Sequence, residues 1–418
     1  MVGENISSNG EESEQYSSSG IEELANMPDF SEHMAEREKE SAAEKLGDGV
    51  TTTVSIYIEG GSSMTNAELK KKKGRAEAYT AERQAWHEEV LDQAAIDARE
   101  LSKKLGPPPR IIAMRGGCGA GKTTAVREKY GDKGIIVNGD VPGAIKPDYF
   151  KDVIKEEART NLGVEVTSSQ AHMESTGICR MHTERLIEDP EVSLLIDKQL
   201  QSAEDIPEII HWGKESGKNV ELLDNDVPIE LSAFRVLKRP IGGADPNIEF
   251  SGVASGFIGI RANRGQVLED VKDEIVSSYS LRAFDPVSKR QIEVAKKVDG
   301  KISYVPGYEE LGRAVGKQDK YGAEAEAASA EKQVITPEYV EEFVSKYFDE
   351  SENAPEWSKK GAKEAREILG SYAGLGGITL GEALDSKAAG LDPEKTNHEE
   401  IIKWVQQQRV ARADTDVA

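Results

Sequence analysis

Short runs of apolar residues divide the middle of this chain into regularly spaced segments. Four runs rich in Ile, Val and Leu are separated by stretches with a helical pattern: RIIAM (110–114), GIIVNGD (134–140), VSLLID (192–197) and KNVELLDND (218–226). Apolar runs of this length are typical of strands that are buried on both faces of a sheet. Because helical segments alternate with them, the pattern predicts an α/β fold with a mostly parallel sheet.

Further along the chain, two runs predict a late β-hairpin. KRQIEVAKK (289–297) and KISYV (301–305) flank Asp299 and Gly300, and Asp-Gly is a favoured pair for a two-residue hairpin turn. Nearer the N-terminus, TTTVSIYI (51–58) predicts one more short strand, and the two glycines that follow it would end that strand.

Helical patterns predict two regions that flank these strands. Residues 66–105 are rich in Ala, Glu, Lys, Leu and Arg, and their apolar positions recur at steps of three and four residues. Gly106 and the three prolines that follow it end this helical segment. Near the C-terminus, AEAEAASAEK (323–332) predicts a helix-prone spacer, and residues 335–412 contain short helical patterns separated by Pro and Gly.

The first 50 residues have a composition that predicts disorder. They hold 13 acidic and 3 basic residues, and apolar residues are sparse. Such a segment cannot bury enough surface to offset the entropy that it would lose on ordering. Six serines lie within the first 20 positions, which fits the polar delivery signal of a secreted effector, although a solubilising tail fits the same composition.

The overall composition sets limits on location and partners. The formal net charge is −23, which disfavours binding to the phosphate backbone of nucleic acid. No apolar run is long enough to span a bilayer, and the N-terminus lacks the features of a secretory signal peptide. Cys118 and Cys179 are too few for a disulfide framework or a four-cysteine zinc site. We therefore expect a cytoplasmic protein without a membrane partner, or one that is delivered from the cytoplasm into a host cell.

One segment carries a complete phosphate-binding motif. GGCGAGKT satisfies G-x-x-x-x-G-K-[ST] and lies between a predicted strand and a predicted helix. In this motif the backbone N–H groups surround the phosphates, the lysine reaches the β- and γ-oxygens, and the hydroxyl binds Mg²⁺. The motif predicts an ATP site formed by Gly116, Gly117, Cys118, Gly119, Ala120, Gly121, Lys122, Thr123 and Thr124.

Candidate catalytic carboxylates follow the predicted strands. Asp140 ends IIVNGD and Asp197 ends SLLID, and because parallel strands end at the same edge of a sheet, both are expected near the P-loop. Asp140 suits the general base that takes the proton from an acceptor hydroxyl, although an aspartate in a turn fits the same position. Asp197 suits a ligand of Mg²⁺ together with Thr123, or a contact to substrate. Asp224 and Asp226 end a third run, where a turn role fits equally well.

Phosphoryl transfer also needs positive charge around the migrating group. VPIELSAFRVLKRP places Arg235, Lys238 and Arg239 on a predicted helix, and GIRANRG adds Arg261 and Arg264. In so acidic a protein, two basic clusters downstream of a P-loop favour an anion clamp, although solvent-facing salt bridges fit them as well.

Taken together, these motifs resemble the zeta toxin family of P-loop kinases, which phosphorylate UDP-N-acetylglucosamine. The resemblance covers roughly residues 108–316 and rests on the P-loop, IIVNGD, SLLID and VPIELSAFRVLKR followed by IRANRG. It implies that Asp140 is the base and that Arg239 and Arg261 contact the phosphates of ATP, with Arg264 as an alternative. The resemblance further implies ATP and Mg²⁺ at the site, and an inhibitory antitoxin-like or chaperone protein as a partner.

The chain departs from the family pattern on the acceptor side. Asp197-Lys198-Gln199 replaces the Glu-Gly-Thr of the family, so the contacts to the sugar nucleotide are not preserved. We expect the acceptor site to be lined by Asp197, Gln199, His172 and Glu174, although a lone histidine is more often structural. Related bacterial effector kinases phosphorylate NAD, and the serine-rich leader and helical tail resemble such an effector. NAD is therefore a second candidate acceptor.

The sequence thus predicts a zeta-toxin-like kinase that moves the γ-phosphate of ATP to a hydroxyl of a nucleotide-type small molecule and acts as a toxin or effector. Two alternatives stay open: a polynucleotide kinase, and an ATP-binding regulatory or scaffold protein without kinase activity. The predicted regions are a disordered acidic leader (1–65), a helical segment (66–105), a P-loop kinase domain (106–316), a linker (317–334) and a helical C-terminal region (335–412).

Overall fold

A six-stranded sheet forms the centre of the molecule, whose computed structural model describes residues 79–137, 140–164, 166, 168–241 and 247–415. The strands are β1 (Arg110–Arg115), β2 (Leu194–Asp197), β3 (Asn219–Asp226), β4 (Val276–Asp285), β5 (Arg290–Val298) and β6 (Lys301–Tyr304). Their spatial order is β2-β1-β3-β4-β5-β6. β1 pairs in parallel with β2 and β3, and β3 pairs in parallel with β4, whereas β5 is antiparallel to both of its neighbours. The α/β fold with a mostly parallel sheet is therefore confirmed.

Helices lie before, between and after the strands along the chain. Those before β4 are α1 (Ala81–Leu105), α2 (Lys122–Tyr130), α3 (Pro147–Glu157), α4 (Ser168–Glu188), α5 (Asp205–Ser216), α6 (Ile229–Leu237), α7 (Phe250–Ala262) and α8 (Arg264–Asp270). Those after β6 are α9 (Glu309–Gly316), α10 (Lys320–Glu331), α11 (Pro337–Tyr347), α12 (Glu356–Ala373), α13 (Leu380–Ala388) and α14 (His398–Thr415). A 3₁₀ turn (Gly131–Lys133) follows α2, and a π-helical turn (Ala158–Leu162) follows α3.

The predicted N-terminal helical segment is confirmed over Ala81–Leu105. α1 begins after Thr80, whose side chain accepts a hydrogen bond from the N–H of Arg83, and ends at Gly106, which has a φ of +74°. Its apolar stripe is buried, as its periodicity predicts: Leu91, Ala94, Ala95, Ala98 and Leu101. The acidic leader and the predicted strand at 51–58 lie outside the described residues.

The strand predicted over GIIVNGD is wrong in its described part. Gly134 has a left-handed φ of +63°, which turns the chain away from an extended path, and Val137 pairs only with Asp140. The outer edge of β2 is instead satisfied by Ile145, whose N–H donates to Leu195 O at 2.7 Å. The backbone groups that an extra strand would have paired with are therefore already in use.

The sheet contains one strand that the apolar pattern did not reveal. β4 (VSSYSLRAFD) joins the parallel strands to the hairpin and buries Val276, Tyr279, Leu281 and Ala283. Its three serines and its arginine interrupt the apolar run, so the segment resembles a loop in sequence. The predicted hairpin of β5 and β6 is confirmed, and it turns at Asp299 and Gly300, both of which have positive φ.

The C-terminal helices pack as one apolar cluster with α6 and α7. The short helical patterns predicted in this region are confirmed as α11, α12 and α14. The short α13, with all nine residues buried, was not predicted. The helix-prone spacer forms α10, and its Ala323, Ala327 and Ala330 are buried in the same cluster. Within the described residues, no helix is both long and apolar enough to cross a membrane.

Candidate functional site

A glycine-rich loop joins β1 to α2 at the carboxyl edge of the parallel strands. Gly119 and Gly121 have φ values of +72° and +84°, in the region that favours glycine. A Cβ at Gly119 would lie 2.7 Å from the carbonyl oxygen of Ser232, and one at Gly121 would lie 2.6 Å from Oε1 of Gln291. Both positions therefore require glycine. α2 begins directly after the loop, and no acidic side chain in its first turn competes with an anion.

Lys122 and Asp197 lie beside each other at this loop. Nζ of Lys122 donates to the carbonyl oxygen of Gly116 at 3.0 Å and is 3.8 Å from Oδ1 of Asp197. Asp197 is the last residue of β2 and is paired with Met114 of β1, which places it at the start of the loop. Burial raises the pKa of Asp197, while the positive charges of Lys122 and Lys146 oppose that rise.

Asp140 belongs to the same charged group and stays accessible. Its side chain is 56% exposed and forms a salt bridge with Lys146, and it accepts a hydrogen bond from the N–H of Val141 at 2.8 Å. Next to burial, the negative charge of Asp140 is one of the causes that raise the pKa of Asp197. We call Lys122, Asp140, Lys146 and Asp197 the edge cluster. It places an accessible carboxylate, which can accept a proton, beside a phosphate-binding loop.

Arg239 and Lys146 of the edge cluster both interact electrostatically with Asp148, which lies in the first turn of α3. Burial pushes the pKa of Asp148 upward, but the positive charges of Lys151, Arg239 and Lys146 hold it below its ordinary value. This position is compatible with the anion clamp that the sequence predicts, and the role of Arg239 stays a prediction.

Arg235 contacts the loop directly. Its Nη1 donates to the carbonyl oxygen of Gly119 at 2.8 Å. Burial lowers the pKa of Arg235 to about 10 and is the only cause of that shift, and no carboxylate pairs with it in the described part of the chain. Within the described residues, the guanidinium is therefore a protonated group beside the loop that no carboxylate pairs with. The sequence placed Arg235 in a basic cluster but gave no reason to prefer it to Arg239, one turn further along.

Other side chains hold the loop from distant parts of the chain. Ser232 of α6 donates to the carbonyl oxygen of Cys118, and Gln291 of β5 donates to that of Ala120 at 3.0 Å. These pairs are 114 and 171 positions apart, so no local signal could identify them. Gln199, which we expected at the acceptor site, donates from Nε2 to Sγ of Cys118 at 3.2 Å. The structure thus places Gln199 against the loop.

Arg261 and Arg264 take part in a buried ionic network at the end of β3. Arg264 is fully buried, with its guanidinium 3.5 Å from Asp224 and 3.3 Å from Asp226. Arg261 donates to both carboxylate oxygens of Asp226 at 3.0 Å and to Glu326 of α10 at 2.5 Å. The structure engages both arginines in ion pairs within the protein, and their predicted catalytic roles stay predictions.

Glu174 connects two helices instead of facing the loop. It is 1% exposed and lies 2.6 Å from Nε of Arg83 and 2.7 Å from Nε2 of His87, both on α1. Burial would raise the pKa of Glu174, but its hydrogen bond with His87 and the charge of Arg83 keep it below its ordinary value. This pairing ties α1 to α4. His172 lies on the same helix, and its side chain is outside the described part of the structure.

Comparison with known proteins adds two findings. Residues 75–246 match the family model described as Zeta toxin. Among curated proteins, none matches this sequence. The matching region contains the P-loop, the edge cluster and α6, whereas IRANRG (260–265), on which the sequence resemblance also rests, lies outside it.

Solved structures align over a longer part of the chain. A crystal structure of the AvrRxo1-ORF1:ORF2 complex has 26% sequence identity and a TM-score of 0.66, and the alignment covers 81% of this chain and 98% of that chain. A structure of AvrRxo1-ORF1:ORF2 with ATP has 25% identity and a TM-score of 0.67, with coverage of 82% and 100%. The family match over residues 75–246 confirms the resemblance to zeta toxins that the sequence predicts.

Proposed function

We propose that this chain, an ATP-dependent P-loop kinase whose residues 75–246 form a Zeta toxin domain, phosphorylates a hydroxyl group of a nucleotide-type small molecule. The edge cluster carries the proposal: Lys122 and Asp197 lie 3.8 Å apart beside the loop, and Asp140 is exposed in the same group. In such an arrangement, Lys122 can contact the phosphates of ATP, and Asp140 can accept the proton of the acceptor hydroxyl.

In the proposed reaction, the acceptor oxygen bonds to the γ-phosphorus while the bond from that phosphorus to the β–γ bridging oxygen breaks, and ADP leaves. Asp140 accepts the proton of the acceptor hydroxyl. Lys122 holds the β- and γ-oxygens, and Arg235 and Arg239 add positive charge near the three oxygens over which negative charge spreads. Arg261, which the family resemblance implies at the phosphates, supports the site from the buried network.

Mg²⁺ is part of the proposal. This ion prefers oxygen ligands and is commonly held by one or two protein groups together with the phosphates of the substrate. The hydroxyl of Thr123 and the carboxylate of Asp197 would hold it, because Asp197 presents an oxygen within 3.8 Å of the P-loop lysine. Bound there, the ion would neutralise charge on the β- and γ-phosphates.

The proposed acceptors are UDP-N-acetylglucosamine and NAD. The Zeta toxin match supports the sugar nucleotide, and the solved neighbour with ATP supports the donor half of the reaction. Asp197-Lys198-Gln199 stands where the family has Glu-Gly-Thr, and Gln199 is engaged with Cys118 of the loop. Both differences count against the sugar nucleotide, and NAD is the other proposed acceptor.

Mass spectrometry of a nucleotide mixture tests the proposal. The purified protein is incubated with ATP and Mg²⁺ in the presence of UDP-N-acetylglucosamine, NAD and an oligonucleotide, and the Lys122→Ala variant is the control. We expect one of the two small molecules to gain one phosphate with the wild type alone. A phosphate on the oligonucleotide would favour a polynucleotide kinase. ADP and free phosphate without any phosphorylated acceptor would favour the regulatory or scaffold protein.

We also propose that the kinase acts as a toxin or effector with an inhibitory or chaperone partner. Support comes from the neighbouring structures, in which AvrRxo1-ORF1 is in complex with ORF2. Expression of the chain without a partner should slow the growth of a bacterial or host cell, and Lys122→Ala should abolish the effect. Equal growth defects of wild type and variant would contradict an activity-based toxin.

A further inference from the structure

We infer that the C-terminal helices α10 to α14 act as a brace that holds α6 and α7 in the position that nucleotide binding requires. The inference rests on the proposed ATP site. It concerns a part of the chain that lies beyond the Zeta toxin match, which ends at residue 246. The brace consists of acidic and apolar contacts to the two helices next to the P-loop.

Glu326 of α10 joins the start of α6 to the end of α7. One carboxylate oxygen accepts from the N–H of Ile229, the first residue of α6, at 3.4 Å, and the other accepts from Arg261 of α7 at 2.5 Å. The residue before α6 is Pro228, which provides no side-chain cap. An anionic side chain at a helix N-terminus satisfies a free N–H and interacts favourably with the helix dipole. Glu326 therefore acts as the N-terminal cap of α6, which the residues next to this helix in sequence do not provide.

Asp385 of α13 caps the N-terminus of α7 in the same way. Its Oδ1 accepts from the N–H of Phe250, the first residue of α7, at 2.9 Å, and the preceding Glu249 makes no side-chain cap. Arg412 of α14 donates to the other oxygen of Asp385 at 2.5 Å and holds the carboxylate in place. Both helices beside the P-loop thus begin on an acidic side chain of the C-terminal region.

Further contacts fix the orientation of α6. Glu230 in its first turn accepts from Lys346 and from the hydroxyl of Tyr347 on α11, each at 2.6 Å. The residue after the helix, Lys238, forms a salt bridge of 2.5 Å with Glu364 on α12. α6 is therefore held at both ends by the C-terminal helices.

Apolar contacts anchor the middle of α6. The ring of Phe234 packs edge-on against Phe343 and Phe348 of the C-terminal region, at centroid distances of 5.2 and 6.0 Å. Arg235, which contacts the P-loop, directly follows Phe234 in the chain. A rotation or shift of α6 would therefore move Arg235 away from Gly119.

Conservative variants test the brace without removing a helix. Glu326→Gln keeps the size of the side chain and weakens both contacts, and Asp385→Asn keeps an acceptor for Phe250 but loses the ion pair with Arg412. The matched control is Glu324→Gln on α10. The carboxylate of Glu324 lies 3.6 Å from the ammonium group of Lys320, which is on the same helix. Two quantities are measured for each folded protein: the dissociation constant of a fluorescent ATP analogue, and the rate of amide hydrogen exchange in α6 and α7. Both are measured at about 20 °C, close to the temperature at which folded proteins are usually most stable.

We expect Glu326→Gln and Asp385→Asn to raise the dissociation constant by roughly three- to tenfold, the size of effect that follows the loss of a negative charge at a helix N-terminus. Exchange should accelerate in the first turn of α6 or α7, and the control should match the wild type in both measurements. Lower thermal stability with unchanged affinity and unchanged exchange in α6 and α7 would overturn the brace while leaving the proposed function intact. A wild type that binds no ATP analogue would overturn the proposed function, and the brace with it.

Discussion

Arg235 donates a 2.8 Å hydrogen bond from Nη1 to the carbonyl oxygen of Gly119, a residue 116 positions earlier in the chain. The contact joins α6 to the tip of the P-loop. Because burial lowers the pKa of Arg235 only to about 10, the guanidinium is protonated at neutral pH. Phosphate oxygens are strong partners for such a group, so ATP would supply the counter-ion that the described part of the protein does not.

Replacing Arg235 should therefore weaken ATP binding. We expect Arg235→Met to raise the dissociation constant of ATP by about 10- to 100-fold, the range that corresponds to the loss of one hydrogen bond to a charged group. Calorimetric titration with ATP measures the change. Arg180→Met is the matched control, because Arg180 is an exposed arginine that pairs with Glu184 on its own helix. Equal affinities of Arg235→Met and the control would remove Arg235 from the nucleotide site.

The buried network at the end of β3 should contribute to stability. Asp224 is fully buried, accepts from Arg115 at 3.0 Å and from the hydroxyl of Tyr279 at 3.1 Å, and lies 3.5 Å from Arg264. Asp224→Asn removes a negative charge from between two buried arginines, and we expect the free energy of unfolding to fall by about 3–5 kcal/mol. Denaturant unfolding measures the loss.

An exposed ion pair provides the comparison for this prediction. Asp92 pairs with Arg185 at 2.8 Å, and its side chain is 77% exposed, so Asp92→Asn should change the free energy of unfolding by no more than about 0.5 kcal/mol. Losses of the same size in Asp224→Asn and Asp92→Asn would show that the buried network is not a stabilising element.

His182 should make the fold less stable at mildly acidic pH. Burial, followed by the charge of Arg185, lowers the pKa of His182 from 6.5 to about 4, and the ring packs edge-on against Phe150. The folded state favours the neutral ring, so its contribution is fully present above pH 6.5 and is lost as the pH falls toward 4. The loss approaches about 3 kcal/mol below the lower pKa, at 1.36 kcal/mol per pKa unit.

Urea unfolding between pH 7.5 and 4 tests this dependence. His182→Leu cannot gain a proton at this position, so its free energy of unfolding should fall less steeply with pH than that of the wild type. Parallel pH profiles for the two proteins would mean that the ring titrates equally in the folded and unfolded states.

The features that the sequence predicts correctly depend on neighbouring residues. The apolar runs of β1 and β3, the Asp299–Gly300 turn and the stripe of α1 are local patterns with a clear period or a specific turn. The strand predicted over 134–140 is wrong in its described residues, because Ile145 pairs with the edge of β2 instead. The apolar pattern does not show which of two nearby segments will pair with the edge of β2.

The candidate site shows the same division. The P-loop and Asp197 follow from local motifs and from the ends of parallel strands. Ser232 and Gln291 contact the P-loop although more than a hundred residues separate them from it in sequence. Glu174 faces α1 because it forms hydrogen bonds there with a buried arginine and a buried histidine. Contacts of this kind depend on tertiary packing, which a single sequence does not encode in any local signal.

In the proposed mechanism, Asp140 takes a proton during phosphoryl transfer and is not needed to bind ATP. The most direct test measures ATP affinity and the rate of phosphate transfer from γ-labelled ATP for wild type and Asp140→Asn, with Asp132→Asn, an exposed aspartate in the turn after α2, as the matched control. We predict that Asp140→Asn binds ATP with an affinity within about twofold of wild type and transfers phosphate about 10²- to 10⁴-fold more slowly, while the control is unchanged. Transfer by Asp140→Asn at the wild-type rate would show that Asp140 is not the general base.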